Sequence, residues 1–269
     1  MAETFAFLGT GSMGGAILDG LLASNPGVTV RTTTSSSTTE RPGVETRSVA
    51  TDADANRWAV DGATIVLVGV KPFAVVDVLE SLGDVLDPTA LVVSVAAGLT
   101  TATMESVIPN PVVRAMPNTP ALVGKGVTGI AAGSRATAEH LARARALFDA
   151  VGWVLELPES QIDALSTISG SGPAYVFHAA EQWTAAAERL GFSHADAREL
   201  VERTFAGATA LLESSGVEPA ELRRRVTSPN GTTERAIAVL DSAQLDDVFT
   251  AAAEAALARA REIARDLER

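Results

Sequence analysis

The residue types best suited to chemistry lie in Thr227-Ser228-Pro229-Asn230-Gly231-Thr232-Thr233. Pro229 and Asn230-Gly231 interrupt regular structure. Ala236, Ile237, Val239 and Leu240 then recur at helical spacing, so the turn is expected to open a helix over 231–240. The first N–H groups of a helix lack intrahelical partners and attract anions. Ser228, Thr232 and Thr233 add three hydroxyls. Such a turn suits a small carboxylate and leaves a hydroxyl for a neighbouring polar atom. The plainer reading is an ordinary hydroxyl N-cap, and the stretch alone leaves both open.

A second constellation lies near the start. Gly9-Thr10-Gly11-Ser12-Met13-Gly14 follows a strand-like run over 4–8 and opens a helical pattern over 13–23. This is the context that gives G-x-G-x-x-G its meaning. The first glycine allows a tight turn, the second lets the backbone approach a pyrophosphate, and the third lets helix pack on strand. Dinucleotide binding is the expectation, against a fortuitous glycine-rich turn. A second strand is expected over 28–32. NAD sites usually place an acid at its end, but here stands Arg31-Thr32-Thr33-Thr34-Ser35-Ser36-Ser37, with no acid before Glu40. One guanidinium and a row of hydroxyls suit a 2′-phosphate, which favours NADPH while leaving NADH possible. The alternative is that Arg31 points into solvent. Val70-Lys71-Pro72 ends a third strand over 64–70, and Lys71 either faces a ligand or is a solvated strand end. Ala96-Ala97-Gly98 ends a fourth strand over 90–95 and is expected to allow close backbone approach at the nicotinamide end.

Two further turns fit a substrate side. Arg114-Ala115-Met116-Pro117-Asn118-Thr119-Pro120 is stiffened by two prolines, and Asn118 either positions a ring amide or braces a structural loop. Ser169-Gly170-Ser171-Gly172-Pro173-Ala174-Tyr175 opens the longest helical pattern, with Pro173 in its first turn. Tyr175, the single tyrosine, is a hydrogen-bond donor to a ligand or an interface residue, and His178 reads first as an interface residue.

The elements that must position these residues change character once. Strands alternating with helical patterns up to Pro158, with further strands over 111–115, 126–132 and 153–157, imply an α/β domain with a largely parallel sheet. After it come helical patterns over 160–168, 173–190, 194–214, 231–240 and 248–267. The expected plan is a Rossmann-like dinucleotide-binding domain over 1–159 and an all-α domain over 160–269 for dimerisation and substrate binding. The long alanine-rich helix faces suggest burial against a second subunit.

Composition narrows the classes. The 269-residue chain is 46% hydrophobic, enough for a substantial core. With no cysteine, thiolate catalysis and Cys-based zinc sites are excluded, and the three histidines are not at ligand spacing. A net charge of −12 argues against nucleic acid or an anionic membrane as partner. No signal peptide and no spanning apolar run are read, so the expected location is the cytoplasm. Lys71 and Lys125 are the only lysines among 21 basic residues. Acid excess, scarce lysine and few aromatics suit molar salt, a halophilic expectation, although a GC-rich genome also favours arginine.

Taken in order, Gly9 to Gly14, Val70-Lys71-Pro72, Arg114 to Pro120, Ser169 to Tyr175 and Thr227 to Thr233 resemble the pyrroline-5-carboxylate reductase family over residues 4–267. The dinucleotide turn is shared with many oxidoreductases, whereas the last three turns are far more specific. The resemblance implies hydride transfer from NADPH to the C=N carbon of 1-pyrroline-5-carboxylate, giving L-proline. It implies that Ser228, Asn230, Gly231, Thr232 and Thr233 form the substrate pocket, with Thr233 and Ser228 in catalytic roles and Thr233 near the ring nitrogen. Proton donation falls to Thr233 through water or to Tyr175. The cofactor is expected on Gly9, Thr10, Gly11, Ser12, Met13, Gly14, Arg31, Asn56, Val70, Lys71, Pro72, Ala96, Ala97, Gly98 and Asn118. A homodimer through the helical domain is implied, and decamers occur in the family. Asn230 departs from the glycine that relatives commonly carry, but asparagine tolerates left-handed backbone. Two other classes stand beside this one. A β-hydroxyacid dehydrogenase would carry a catalytic lysine on a second-domain helix, and no lysine follows Lys125. A non-catalytic NADPH-binding sensor would not need the substrate turn.

Overall fold

The computed structural model describes residues 3–35 and 41–267. Eight strands form one sheet: β1 (Thr4–Leu8), β2 (Thr29–Thr34), β3 (Val44–Ser48), β4 (Ile65–Val68), β5 (Leu91–Ser94), β6 (Val112–Met116), β7 (Gly126–Ala132) and β8 (Gly152–Glu156). Their order is β3-β2-β1-β4-β5-β6-β7-β8. All neighbours are parallel except β6 and β7, which run antiparallel. The helices of this part are α1 (Ser12–Ser24), α2 (Ala55–Val60), α3 (Val75–Leu82), α4 (Thr101–Glu105), α5 (Ala138–Asp149) and α6 (Ile162–Leu165).

Strand residues alternate between the two faces of the sheet. Phe5 and Phe7 of β1 join Ile65, Leu67, Leu91 and Val93 in a core with Ile17, Leu18 and Leu21 of α1 and Phe148 of α5. Ala6 and Leu8 point the other way, with Val66, Val68 and Val92, and meet Val60 of α2 and Leu79 of α3. Covering both faces leaves ligands the carboxyl edge of the parallel strands, where β1 runs into the glycine turn.

The remaining helices are α7 (Gly172–Arg189), α8 (His194–Ser215), α9 (Pro219–Arg225), α10 (Thr232–Ser242) and α11 (Leu245–Leu267). Gly191 (φ 98°) and Gly216 (φ 61°) adopt left-handed backbone after α7 and α8, where glycine ends a helix at little cost. The chain forms two compact units. One holds the described residues up to Ser171 together with those from Ala255 onward, and Gly172–Glu254 forms the other. The expected change of character at 159/160 follows the last strand closely, while the compact units divide later, after a π-helical turn over Ser166–Gly170. Helix α11 contributes its first residues to the second unit and its remainder to the first.

Four elements are given no bounds in the sequence-based expectation. Strand β3 is half-exposed, and its only apolar residue is Val44; it is held by pairing to β2 and by a 2.8 Å hydrogen bond between the Thr32 and Thr46 hydroxyls. Helices α2, α4 and α9 are five to seven residues long, too short to display a full apolar period. Among the described residues no helix is long and apolar enough to cross a membrane.

Candidate active site

The turn after β1 shows why its glycines are needed. Gly9 has φ 89°, and a Cβ there would lie 3.0 Å from the backbone of Gly69. A Cβ on Gly14 would lie 2.5 Å from the Gly9 carbonyl oxygen, so the first turn of α1 packs against the loop only without a side chain. At Gly11 a Cβ would meet none of the described residues within 4 Å, which leaves open space over the helix start. Gly11 is the N-cap of α1; no side chain caps the helix and no acid sits in its first turn. Its N–H groups therefore face that space, as anion binding requires.

The turn is tied to the end of β2. The backbone N–H groups of Gly9 and Thr10 both donate to the Thr33 carbonyl, at 3.2 and 3.1 Å. The Thr33 hydroxyl donates to Asn56 Oδ1 at 2.8 Å. Thr33, near the start of the hydroxyl run, thus organises both the glycine turn and Asn56. The sequence signal for it was only that run.

These residues enclose a cleft of about 640 Å³, within the range of small-molecule and cofactor sites. Gly9, Thr10, Gly11, Ser12, Met13 and Gly14 line it. Thr33, Thr34, Ser35, Val49 and Asn56 line one end, and Val95, Ala96 and Ala97 follow β5 at another. Val70, Lys71 and Pro72 line it at the end of β4, followed by Phe73, Ala74 and Val78. Lys71 is exposed there, which fits a ligand-facing and a solvated strand end alike. Among the described residues no carboxylate lines the cleft. The expectation for residues 36–40, covering Ser36, Ser37 and Glu40, falls outside the described residues. Val49 and Phe73 were not anticipated, because neither belongs to a recognised motif.

Three residues expected to hold the cofactor are placed elsewhere. Arg31 does not line the cleft. Its Nη1 donates to the Trp58 and Asp61 carbonyls at 3.0 and 3.1 Å, and its guanidinium lies 5.3 Å from the Trp58 ring. The open carbonyls at the end of α2 attract a cation more directly than a distant phosphate position does. Gly98 also stays out of the cleft: with φ 79°, it lies under Ile263 and Leu267 of α11, which a Cβ would approach to 3.3 and 3.2 Å. Its missing side chain makes room for a helix. Asn118 is buried, and both ends of its amide are engaged, donating to the Ser169 carbonyl at 2.9 Å and accepting from Val127 N–H at 2.8 Å. It braces the proline-rich loop against the turn before α7, the structural alternative for this residue.

In the second unit, Gly231 is the N-cap of α10 and offers no side-chain cap. Asn230 has φ 57°, the left-handed backbone for which asparagine is suited. Its N–H donates to the Glu234 carboxylate at 2.9 Å, which holds the turn in place. A Cβ on Gly231 would lie 2.6 Å from Ser228 Oγ, so glycine keeps that hydroxyl close to the helix start. Thr227 is occupied, donating to the Arg223 carbonyl at 2.7 Å. Ser228 and Thr232 are exposed and Thr233 half-buried, so the turn presents three hydroxyls around one helix N-terminus. Tyr175 and His178 lie on α7, and His178 is exposed with Glu181 at 3.4 Å.

Comparison with known proteins places the chain in a family. A family model described as pyrroline-5-carboxylate reductase dimerisation matches residues 159–263, and one described as NADP oxidoreductase, coenzyme F420-dependent, matches residues 4–98. The chain is 42% identical to pyrroline-5-carboxylate reductase of Pseudomonas aeruginosa, over 97% of each chain. It is 40% identical to that of Corynebacterium melassecola, over 97% of this chain and 99% of the relative. The structure of a pyrroline-5-carboxylate reductase from Coxiella burnetii superposes with a TM-score of 0.90 at 36% identity, covering 98% of this chain and 99% of the other. That of Plasmodium falciparum pyrroline carboxylate reductase, solved with NADP bound, gives 0.82 at 25% identity over 97% and 98%. Glycine turn, proline-rich loop and hydroxyl-rich helix start all lie within chain lengths these proteins share almost completely, and the chain belongs to the pyrroline-5-carboxylate reductase family.

Proposed function

We propose that this protein reduces the C=N bond of 1-pyrroline-5-carboxylate to L-proline, the last step of proline biosynthesis, with NADPH as the preferred reductant and NADH as an alternative. The observation that carries the reading is the open, uncapped start of α1 at Gly11, in a cleft about the size of a cofactor site, in a chain of this family. The fit is chemical as well as spatial. N–H groups of the first turn of α1 hold the pyrophosphate. Thr33, Thr34 and Ser35 hold the adenosine ribose and its 2′-phosphate, and the absence of a lining carboxylate among the described residues favours the phosphorylated cofactor. When bound, the reduced nicotinamide supplies a hydride to the imine carbon.

The chain's own residues supply binding and orientation. The start of α10, with Ser228, Gly231 and Thr232, takes the substrate carboxylate through N–H groups and hydroxyls. Thr233 hydrogen-bonds the ring nitrogen, its hydroxyl oxygen accepting from the N–H of the protonated imine, and the proton on that nitrogen comes from water held by Thr233 or from Tyr175. A protonated imine is already a good hydride acceptor, so holding it in register provides a large share of the rate without a strong acid or base. The division into a cofactor-binding part over 1–159 and a substrate-binding, dimerising part over 160–269 belongs to this proposal. So do a cytoplasmic setting, a requirement for high salt, and a homodimer through α7 to α11 that can assemble into decamers.

The test is loss of reduced-nicotinamide absorbance on adding 1-pyrroline-5-carboxylate, with NADPH and with NADH, in low and in molar KCl. Imine-dependent oxidation, faster with NADPH and in molar KCl, is expected. Folded protein that binds NADPH but oxidises none in either salt would overturn the catalytic reading. A maximum at low salt would overturn the halophilic one.

A further inference from the structure

We infer that Phe73 and Val49 form the slot that grips the adenine ring of the cofactor, an assignment resting on the reading of the cleft as a nucleotide site. Phe73 stands directly after Lys71-Pro72, in a single helical turn held by a 2.9 Å hydrogen bond from Ala74 N–H to the Lys71 carbonyl. Its side chain is 76% exposed, while Val75 and Leu79 just beyond it are wholly buried. An aromatic ring left in water beside a filled core forgoes favourable burial. Val49 is the other exposed large apolar residue lining the cleft, at 38%.

Their position selects the adenine end. Gly9 to Gly14 follow β1 and mark the pyrophosphate. Val49 follows β3, beyond β2 and on the opposite side of β1 from β5, whose end carries Ala96 and Ala97. The turn of Phe73 leads into α3, which is tied to α2 by Arg57 donating to the Ser81 and Leu82 carbonyls at 3.1 and 2.9 Å. Helix α2 carries Asn56, hydrogen-bonded to Thr33 at the ribose end of β2. A flat heteroaromatic ring placed there stacks on the phenyl face and rests on the Val49 methyls.

The experiment measures binding of NADPH, 2′,5′-ADP and nicotinamide mononucleotide to the full chain and to Phe73→Ala. Phe73→Ala is expected to weaken NADPH and 2′,5′-ADP about tenfold, the scale of one lost base stack, and to leave nicotinamide mononucleotide as in the parent. Phe73→Trp is expected to restore the affinity, with indole fluorescence quenched by 2′,5′-ADP. Because Phe73 is exposed, both variants are expected to fold. Undiminished 2′,5′-ADP binding in Phe73→Ala, or an equal loss for the nicotinamide fragment, would overturn the slot. A parent protein that binds 2′,5′-ADP without reducing the imine would leave the slot standing and remove only the catalytic reading. A parent that binds neither NADPH nor either fragment would remove both.

Discussion

Thr233 is the residue on which the proposed chemistry turns most directly. It stands in the first turn of α10, half-buried beside the exposed Ser228 and Thr232. Thr233→Ala removes one hydrogen bond to a charged or polarised substrate atom, and about a ten- to hundredfold loss in kcat/KM is expected. Steady-state kinetics check this, and near-parental kcat/KM would remove Thr233 from its role. Arg31 makes the opposite case. Sequence position offered its guanidinium to a 2′-phosphate, yet the structure gives it to the Trp58 and Asp61 carbonyls. Arg31→Met is expected to cost about 1–3 kcal/mol of stability, by loss of hydrogen bonds from a charged donor, and to leave the NADPH to NADH preference unchanged. Thermal melts and the two cofactor KM values check it. Arg31 was illegible because a neighbouring helix end, visible only after folding, competes for the same side chain. Asn230 was legible, since its tolerance of left-handed backbone is a property of the residue itself.

The glycine turn allows a separation between folding and binding at the scale of one element. A Cβ at position 14 collides with the Gly9 carbonyl, whereas a Cβ at position 11 points into open space. Gly14→Ala is therefore expected to lower the melting temperature. Gly11→Ala is expected to melt like the parent but bind NADPH at least about tenfold more weakly, because its methyl occupies the room left for the pyrophosphate. Calorimetry and cofactor titration read the two effects independently. Long elements with a strong period were readable from sequence: β1 and β7 have the predicted limits, and α8 lies within a residue of them. Strand β3 was not, because Val44-Glu45-Thr46-Arg47-Ser48 carries one apolar residue and is a strand only by virtue of β2 beside it. Asn118 and Gly98 sit in motifs that are easy to see, but a motif does not say which way an amide faces or which helix returns over a turn.

The two units differ sharply in how they bury apolar surface. Among the residues of Gly172–Glu254 only Ala197 and Val201 are buried, while Phe177, Trp183, Leu211, Leu240 and Phe249 are exposed. Exposed apolar surface on this scale marks an interaction face. In the proposed homodimer that face is covered, so melting temperature is expected to rise with protein concentration. Phe177→Asp is expected to yield monomers by light scattering and to melt α7 and α8 by circular dichroism. A monomeric parent protein would end the dimer reading. The alanine-rich helix faces announced this in sequence, but not the near absence of a core in the helical unit.

The packing of Ile263 and Leu267 over Gly98 also sets a timetable. A ribosome that has delivered the chain through Glu254 has made every strand of the sheet, yet the residues that lie over the turn beyond β5 are still to come. The earliest part of the protein to be synthesised is thus among the last to be finished, and nascent chains are expected to gain full protease resistance in residues 3–171 only after residues 255–267 have emerged.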